Sequence, residues 1–398
     1  MGMPPDVLHQ IRADPHALRD TNETEGNIMK DQRRRYGSSS AALRFTALLL
    51  LGTGLVSVAA ADISLPPVTV GAGIQTSLYS CDKGCIYSSG TANPGSDTVQ
   101  GAELDSIRLY INGTVTDHIK LTFDTEYDGG TNQVGVLDAI ARFEFSDTVN
   151  FWAGRFLPPT DRANLYGPYY ANDWAPYADG VADFYPDVKT GRDNGAAYWG
   201  QFGIVKVQAG LFDGGSLNSA VPDKSKLLYA GRIMADFWDA EPGYYLNGTY
   251  YGEKDLLSLG LVGQSQDGRV AWDLDGLMEK KLPNLGVFSV EAEFQKDNGL
   301  TATAHNKGWY ALSSYLFPQV IGVGKFQVLG KYSQKTIDST AVFDEEPTLS
   351  DKVKTAEVNL NYIIKAFNAR VGLYALDQKD EVADLTKKEF GLKLQLQL

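Results

Sequence analysis

The side chains able to do chemistry in this 398-residue chain are few and of restricted kind. Its two cysteines, Cys81 and Cys85, flank Asp82-Lys83-Gly84, and of its four histidines only His118 and His305 lie beyond residue 61. A C-x3-C pair with no imidazole nearby lacks the ligands for zinc and the C-x-x-C spacing of a redox dithiol, so a local disulfide formed in an oxidising compartment is expected. A serine nucleophile needs an imidazole base, and neither histidine neighbours a Gly-x-Ser-x-Gly elbow. The expectation is therefore no catalytic residue, no metal and no cofactor. What remains is a dense group of acids and phenols between Leu157 and Asn194: Asp161, Arg162, Tyr166, Tyr170, Asp173, Trp174, Tyr177, Asp179 and Asp183. Such a set can offer hydrogen bonds and a local field to a polar solute.

That stretch contains Pro158, Pro159, Pro168, Pro176 and Pro186, and proline removes an amide donor, so neither a ladder strand nor a helix interior is expected. It reads as an ordered loop, too long to be a simple connection and too aromatic to be disordered. On both sides the chain alternates with a period of two, the signature of strands with one apolar face. Ile107, Leu109, Ile111, Gly113 and Val115 oppose Arg108, Tyr110, Asn112 and Thr114; Leu121, Phe123 and Thr125 oppose Lys120, Thr122, Asp124 and Glu126. Leu137, Ala139, Ala141 and Phe143 in turn oppose Asp138, Arg142 and Glu144. Arg155 breaks the pattern, sharing its side with Phe151 and Ala153.

Such runs recur to the final residue, giving about sixteen segments near the 9–11 residues that a tilted spanning strand needs. Connections at 116–118, 146–148 and 365–366 are short, whereas those at 81–100, 157–194 and 336–352 are long and polar. The expected fold is all-β, a 16-stranded antiparallel transmembrane β-barrel. A soluble sandwich is the competing reading, disfavoured by strand length and by the open edges it would leave. In the barrel, Arg108, Lys120, Asp124, Glu126, Asp138, Arg142 and Glu144 line the lumen wall, with charges of both signs setting a transverse field.

Residues 1–61 are expected to be an upstream extension plus a secretory signal peptide. Lys30 and Arg33-Arg34-Arg35 precede the apolar run Phe45–Val58 and the small residues Ala59-Ala60-Ala61, and Met29 stands where such a peptide would begin. Removing them takes the net charge from −13 to −14, which argues against nucleic acid as a partner. The mature chain, 62–398, is expected in the outer membrane of a Gram-negative bacterium, in contact with its lipid.

The Gly154-Arg155-Phe156-Leu157-Pro158-Pro159 stretch after its alternating strand, the Tyr/Asp-rich loop and Pro242-Gly243-Tyr244 together resemble the phosphate-selective porin O and P family. Within it the chain is most similar to the branch of porins for short-chain amides and urea. The last strand resembles the signal read by the barrel assembly machinery, through Glu389, Gly391, Leu394 and Leu396, but ends on Leu398 rather than Phe or Trp. The resemblance implies a homotrimeric porin whose third long loop, here 157–194, bends inward as the constriction. It implies passive diffusion of small hydrophilic solutes, either short-chain amides and urea or small cations. The alternatives are an anion- or phosphate-selective porin and a non-channel barrel serving as adhesin or structural protein. Six aspartates against Arg162, Lys189 and Arg192 between Phe156 and Gly195 argue against phosphate and predict a mildly negative constriction.

Overall fold

The computed structural model describes residues 67–82, 98–129, 132–174, 191–214, 226–298, 305–338, 350–381 and 385–398. The expected leader, Cys85, Tyr177, Asp179 and Asp183 lie outside them. Strands run β1 (Val68–Asp82), β2 (Val99–Thr116), β3 (Ile119–Asp128), β4 (Gln133–Glu144), β5 (Asn150–Phe156), β6 (Asp193–Phe202), β7 (Val205–Phe212) and β8 (Leu228–Asp236). They continue as β9 (Leu256–Gln266), β10 (Arg269–Leu282), β11 (Gly286–Asn298), β12 (His305–Ile321), β13 (Gly324–Asp338), β14 (Ser350–Lys365), β15 (Ala369–Asp380) and β16 (Leu385–Gln397). Each pairs with its sequence neighbours, and β16 pairs antiparallel with β1 from Gly73↔Gln397 to Asp82↔Lys388, so the sheet closes into a 16-stranded antiparallel barrel.

The faces are inverted relative to a soluble protein. Outward positions are apolar and exposed, as at Ile107, Leu109, Leu121, Leu259, Leu261 and Leu274; inward ones are polar and buried, as at Gln75, Ser258, Asp275, Gln327, Asn361 and Gln395. A closed barrel satisfies every ladder amide, and an apolar exterior is what a bilayer solvates.

The register shifts in several ladders, and two local features bear on the expected pattern. Phe123 pairs with Ala139 but Thr125 with Val136, so β4 carries one extra residue. This bulge buries Leu137, which therefore does not share the outward face of Ala139 as expected, and Ile140 is buried as well. Arg155 keeps the outward parity of Phe151 and donates through Nε to the Val136 carbonyl at 3.2 Å.

One stretch expected to be loop throughout contains a helix, α1 (Arg162–Tyr170). Asp161 caps it, accepting from the Asn164 amide at 2.8 Å. Proline does not prevent it because Gly167, at φ 62°, breaks α1 into two turns and Pro168 opens the second, where its missing N–H costs nothing. The connections on the β2–β3 side are tight, such as 203–204, 283–285 and 322–323, with one exception: residues 237–255 between β8 and β9.

Candidate functional site

The residues after β5 are bound to the polar inner wall at many points. Gln264 donates to the Pro159 carbonyl at 2.8 Å and Arg232 to the Thr160 carbonyl at 3.2 Å. Tyr166 donates to Glu291 at 2.9 Å, Tyr169 to the Ser106 carbonyl at 3.2 Å, and Asn172 to Ser314 at 3.0 Å. Gln395 and Arg370 reach back to the carbonyls of Tyr169 and Ala171 at 2.9 and 2.6 Å. Arg370 also lies 4.0 Å above the Trp174 ring, and the Trp174 amide donates to Glu357. The partners belong to strands all around the barrel, so the described part of the loop lies within it.

These contacts redistribute the expected constriction residues. Asp161, Arg162 and Trp174 are 1, 0 and 2 % exposed, and Tyr166 is buried; their side chains anchor the loop instead of lining a water path. Tyr170 and Asp173 are half-buried and keep contact with solvent. The described acids of the loop are also not free charges: Asp161 is held by Asn164 and Thr160, and Asp173 is paired with Lys331 at 2.8 Å. Burial pushes the Asp161 carboxyl above its ordinary range, and these hydrogen bonds only partly oppose it.

The guanidinium of Arg162 is the densest node. It pairs with Glu241, and its Nη1 donates to the Asn247 carbonyl at 3.1 Å, its Nη2 to Ser258 at 3.2 Å, while its backbone N–H donates to Asp275 at 3.1 Å. Burial alone would disfavour both charges. The partners outweigh it, so Arg162 is held charged and Glu241 lies below the usual carboxylate range. Removing one member of such a buried pair strands the other and costs roughly 3–5 kcal/mol.

The expected wall residues all sit on one arc, β2 to β4, and all but Asp124 lie in a described ion pair. Arg108 donates to Glu126 at 2.9 and 3.3 Å, and Lys120 to Glu144 at 2.7 Å, with Arg142 Nε 3.9 Å from Glu144. Asp138 accepts from Arg192 and from Tyr245, each at 3.2 Å. The expected transverse field is thus largely cancelled between neighbouring strands. The side chains of Lys120, Arg142, Glu144 and Glu126 remain 35, 22, 17 and 13 % exposed, the wettest charges of this arc. On the same arc, Arg108 lies 4.8 Å from the Tyr169 ring of the loop. Burial raises the Tyr169 phenol to about 12 and raises Tyr170 too, so this edge of the loop is polar yet uncharged at neutral pH.

Sequence reasoning did not find the second interior segment. Trp152 stacks on Tyr244 at 4.6 Å and meets Phe156, Trp199 and Tyr245 edge-on. With Leu157, Leu165 and Leu246 these rings form an apolar cluster between the loop, residues 237–255 and the wall. The available signal was the aromatic run Phe237, Trp238, Tyr244, Tyr245, Tyr250 and Tyr251 in a connection where a tight turn belongs. Cys81 is buried at the end of β1 and is disulfide-bonded.

No family model matches the chain, and no curated protein matches it. Solved structures do resemble it. The anion-selective porin from Comamonas acidovorans is 14 % identical, with a TM-score of 0.53 over 83 % of this chain and 99 % of that one. The outer membrane channel DcaP of Acinetobacter baumannii is 12 % identical, with a TM-score of 0.55 over 85 % and 99 %. OmpF of Salmonella typhi, in complex with daunomycin, is 9 % identical, with a TM-score of 0.54 over 84 % and 98 %. At these identities the common property is architecture: the chain has the closed β-barrel fold of outer-membrane porins.

Proposed function

We propose that this chain is a porin, a passive diffusion channel for small hydrophilic solutes in the outer membrane, reached after export and cleavage near Ala61. The observation that carries the reading is the partial solvent exposure of paired charges on β2–β4, inside a closed barrel to whose wall the long loop is anchored. Selection follows from width and from hydrogen bonding, with no chemical step. On that arc Arg108, Lys120 and Arg142 stand among Asp124, Glu126, Asp138 and Glu144, and Arg192 pairs with Asp138 from the loop. A wall without a basic excess disfavours a phosphate filter and suits neutral, strongly dipolar solutes, in keeping with the resemblance to porins for short-chain amides and urea. Assembly as a homotrimer in lipid, through the barrel assembly machinery, belongs to the same proposal.

The test is reconstitution. Purified protein in planar bilayers should give stepwise conductance with weak ion selectivity, and liposomes containing it should swell faster in urea or acetamide than in phosphate. A barrel that inserts without conductance refutes the channel; faster phosphate entry replaces it with the anion-selective alternative.

A further inference from the structure

Residues 237–255 enter the barrel from the end opposite to the long loop, where the neighbouring connections are tight. They meet the loop along its whole described length. The Tyr244 hydroxyl donates to the Leu157 carbonyl at 2.8 Å, the Leu246 amide to Leu165 at 3.4 Å and the Gly248 amide to Tyr170 at 2.9 Å. The last contact is close, since a Cβ on Gly248 would lie 3.0 Å from both the Tyr170 oxygen and the Asn172 nitrogen. The segment is itself fixed to the wall: Thr249, Tyr250 and Gly252 all donate to Glu279, and the Glu241 amide donates to Asp236 at 3.0 Å. A broken helix of α1's length has little stability of its own, so its placement depends on such partners.

From this we infer that residues 237–255 are the second half of the constriction. They hold the long loop from the opposite side, with Arg162 as the positioning residue acting through Glu241. The width beside Tyr170 is then set by the joint between two segments and not by the loop alone. This rests on the channel reading.

The experiment compares single-channel currents of the wild type, Arg162→Met, Glu241→Gln, the double variant and Arg162→Lys, each first checked for a folded, heat-modifiable barrel. The wild type should conduct steadily. Each single variant should either raise conductance by about 1.5-fold or more or flicker between levels, the double variant should be no worse than either single one, and Arg162→Lys should be intermediate. In Arg162→Met, cysteines replacing Leu165 and Leu246 should restore the steady level on oxidation and lose it on reduction, with reductant on the wild type controlling for Cys81. If Arg162→Met fails to assemble, the same cysteine pair in the otherwise wild-type chain decides: it should cross-link and leave conductance unchanged. Folded variants with wild-type currents, additive effects in the double variant, or cysteines that do not cross-link overturn the inference while the channel reading stands. A silent wild type overturns both.

Discussion

Asp173 and Lys331 form a pair whose two halves can be removed separately with opposite effects. Their side chains are 2.8 Å apart and 11 and 6 % exposed, and Lys331 also lies 4.6 Å from the Tyr310 ring. Asp173→Asn leaves the ammonium unmatched, a net change of one positive charge beside the loop; Lys331→Met leaves the carboxylate. A unit charge about 8 Å from a permeant ion through water is worth about 0.5 kcal/mol. In roughly 10 mM salt, where the screening length is about 30 Å, about 0.4 kcal/mol of this survives, a factor of about two for each ion. Asp173→Asn should therefore lower the cation-to-anion permeability ratio about fourfold, and Lys331→Met should raise it by a similar factor. Near 1 M salt, with a screening length of about 3 Å, both shifts should vanish. Reversal potentials across salt gradients in planar bilayers measure this directly, with gel mobility before and after heating as the check on assembly. Shifts of the same sign in both variants, or none in either at low salt, would show that this pair does not border the permeation path.

Other outcomes follow from the interior packing. Trp152→Ala removes the ring at the centre of the cluster around Tyr244 and should cost about 3–5 kcal/mol, read as a lower temperature for the heat-modifiable transition in detergent; an unchanged transition would mean that the cluster contributes nothing. Because its partners hold Glu241 below the ordinary glutamate range, the stability it provides is present above the unfolded value of about 4.3 and is lost only as the pH falls through the lower folded value. Current should thus be steady from neutral pH down to about 5 and unsteady under stronger acid, and Glu241→Gln should lack that acid step. Alkylation without reductant should leave Cys81 unlabelled by mass, and labelling appearing only after reduction completes the test.

The barrel was legible because alternation is a strong signal when one face meets lipid and the other does not. Arg108, Lys120, Asp124 and Glu126 turn inward where parity puts them, and only the β4 bulge, invisible to a pattern with period two, displaced Leu137. Loop contents were less legible. Asp161, Arg162 and Tyr166 are polar or phenolic residues of a long loop, yet whether such a residue lines water or anchors the chain depends on partners such as Glu241 and Glu291, which lie 79 and 125 residues away. Proline content concealed α1 because the argument holds for a continuous helix and fails for one restarted at Pro168. The segment 237–255 was missed for a related reason: its polar and aromatic residues satisfy one another only once folded against the loop.

The contacts of the loop also dictate an order of assembly. The Arg162–Glu241 joint spans 79 residues and can form within the first half of the barrel, whereas Gln75 meets Gln395 across 320 residues and both then bind the turn around Pro168 and Tyr169. Contacts of such long separation form late. The carbonyls of Pro168, Tyr169 and Ala171 are held by Gln75 on β1, Gln395 on β16 and Arg370 on β15, so this turn of the loop bridges the two sides of the seam. Closing the seam and fixing the loop therefore draw on the same two side chains, Gln75 and Gln395.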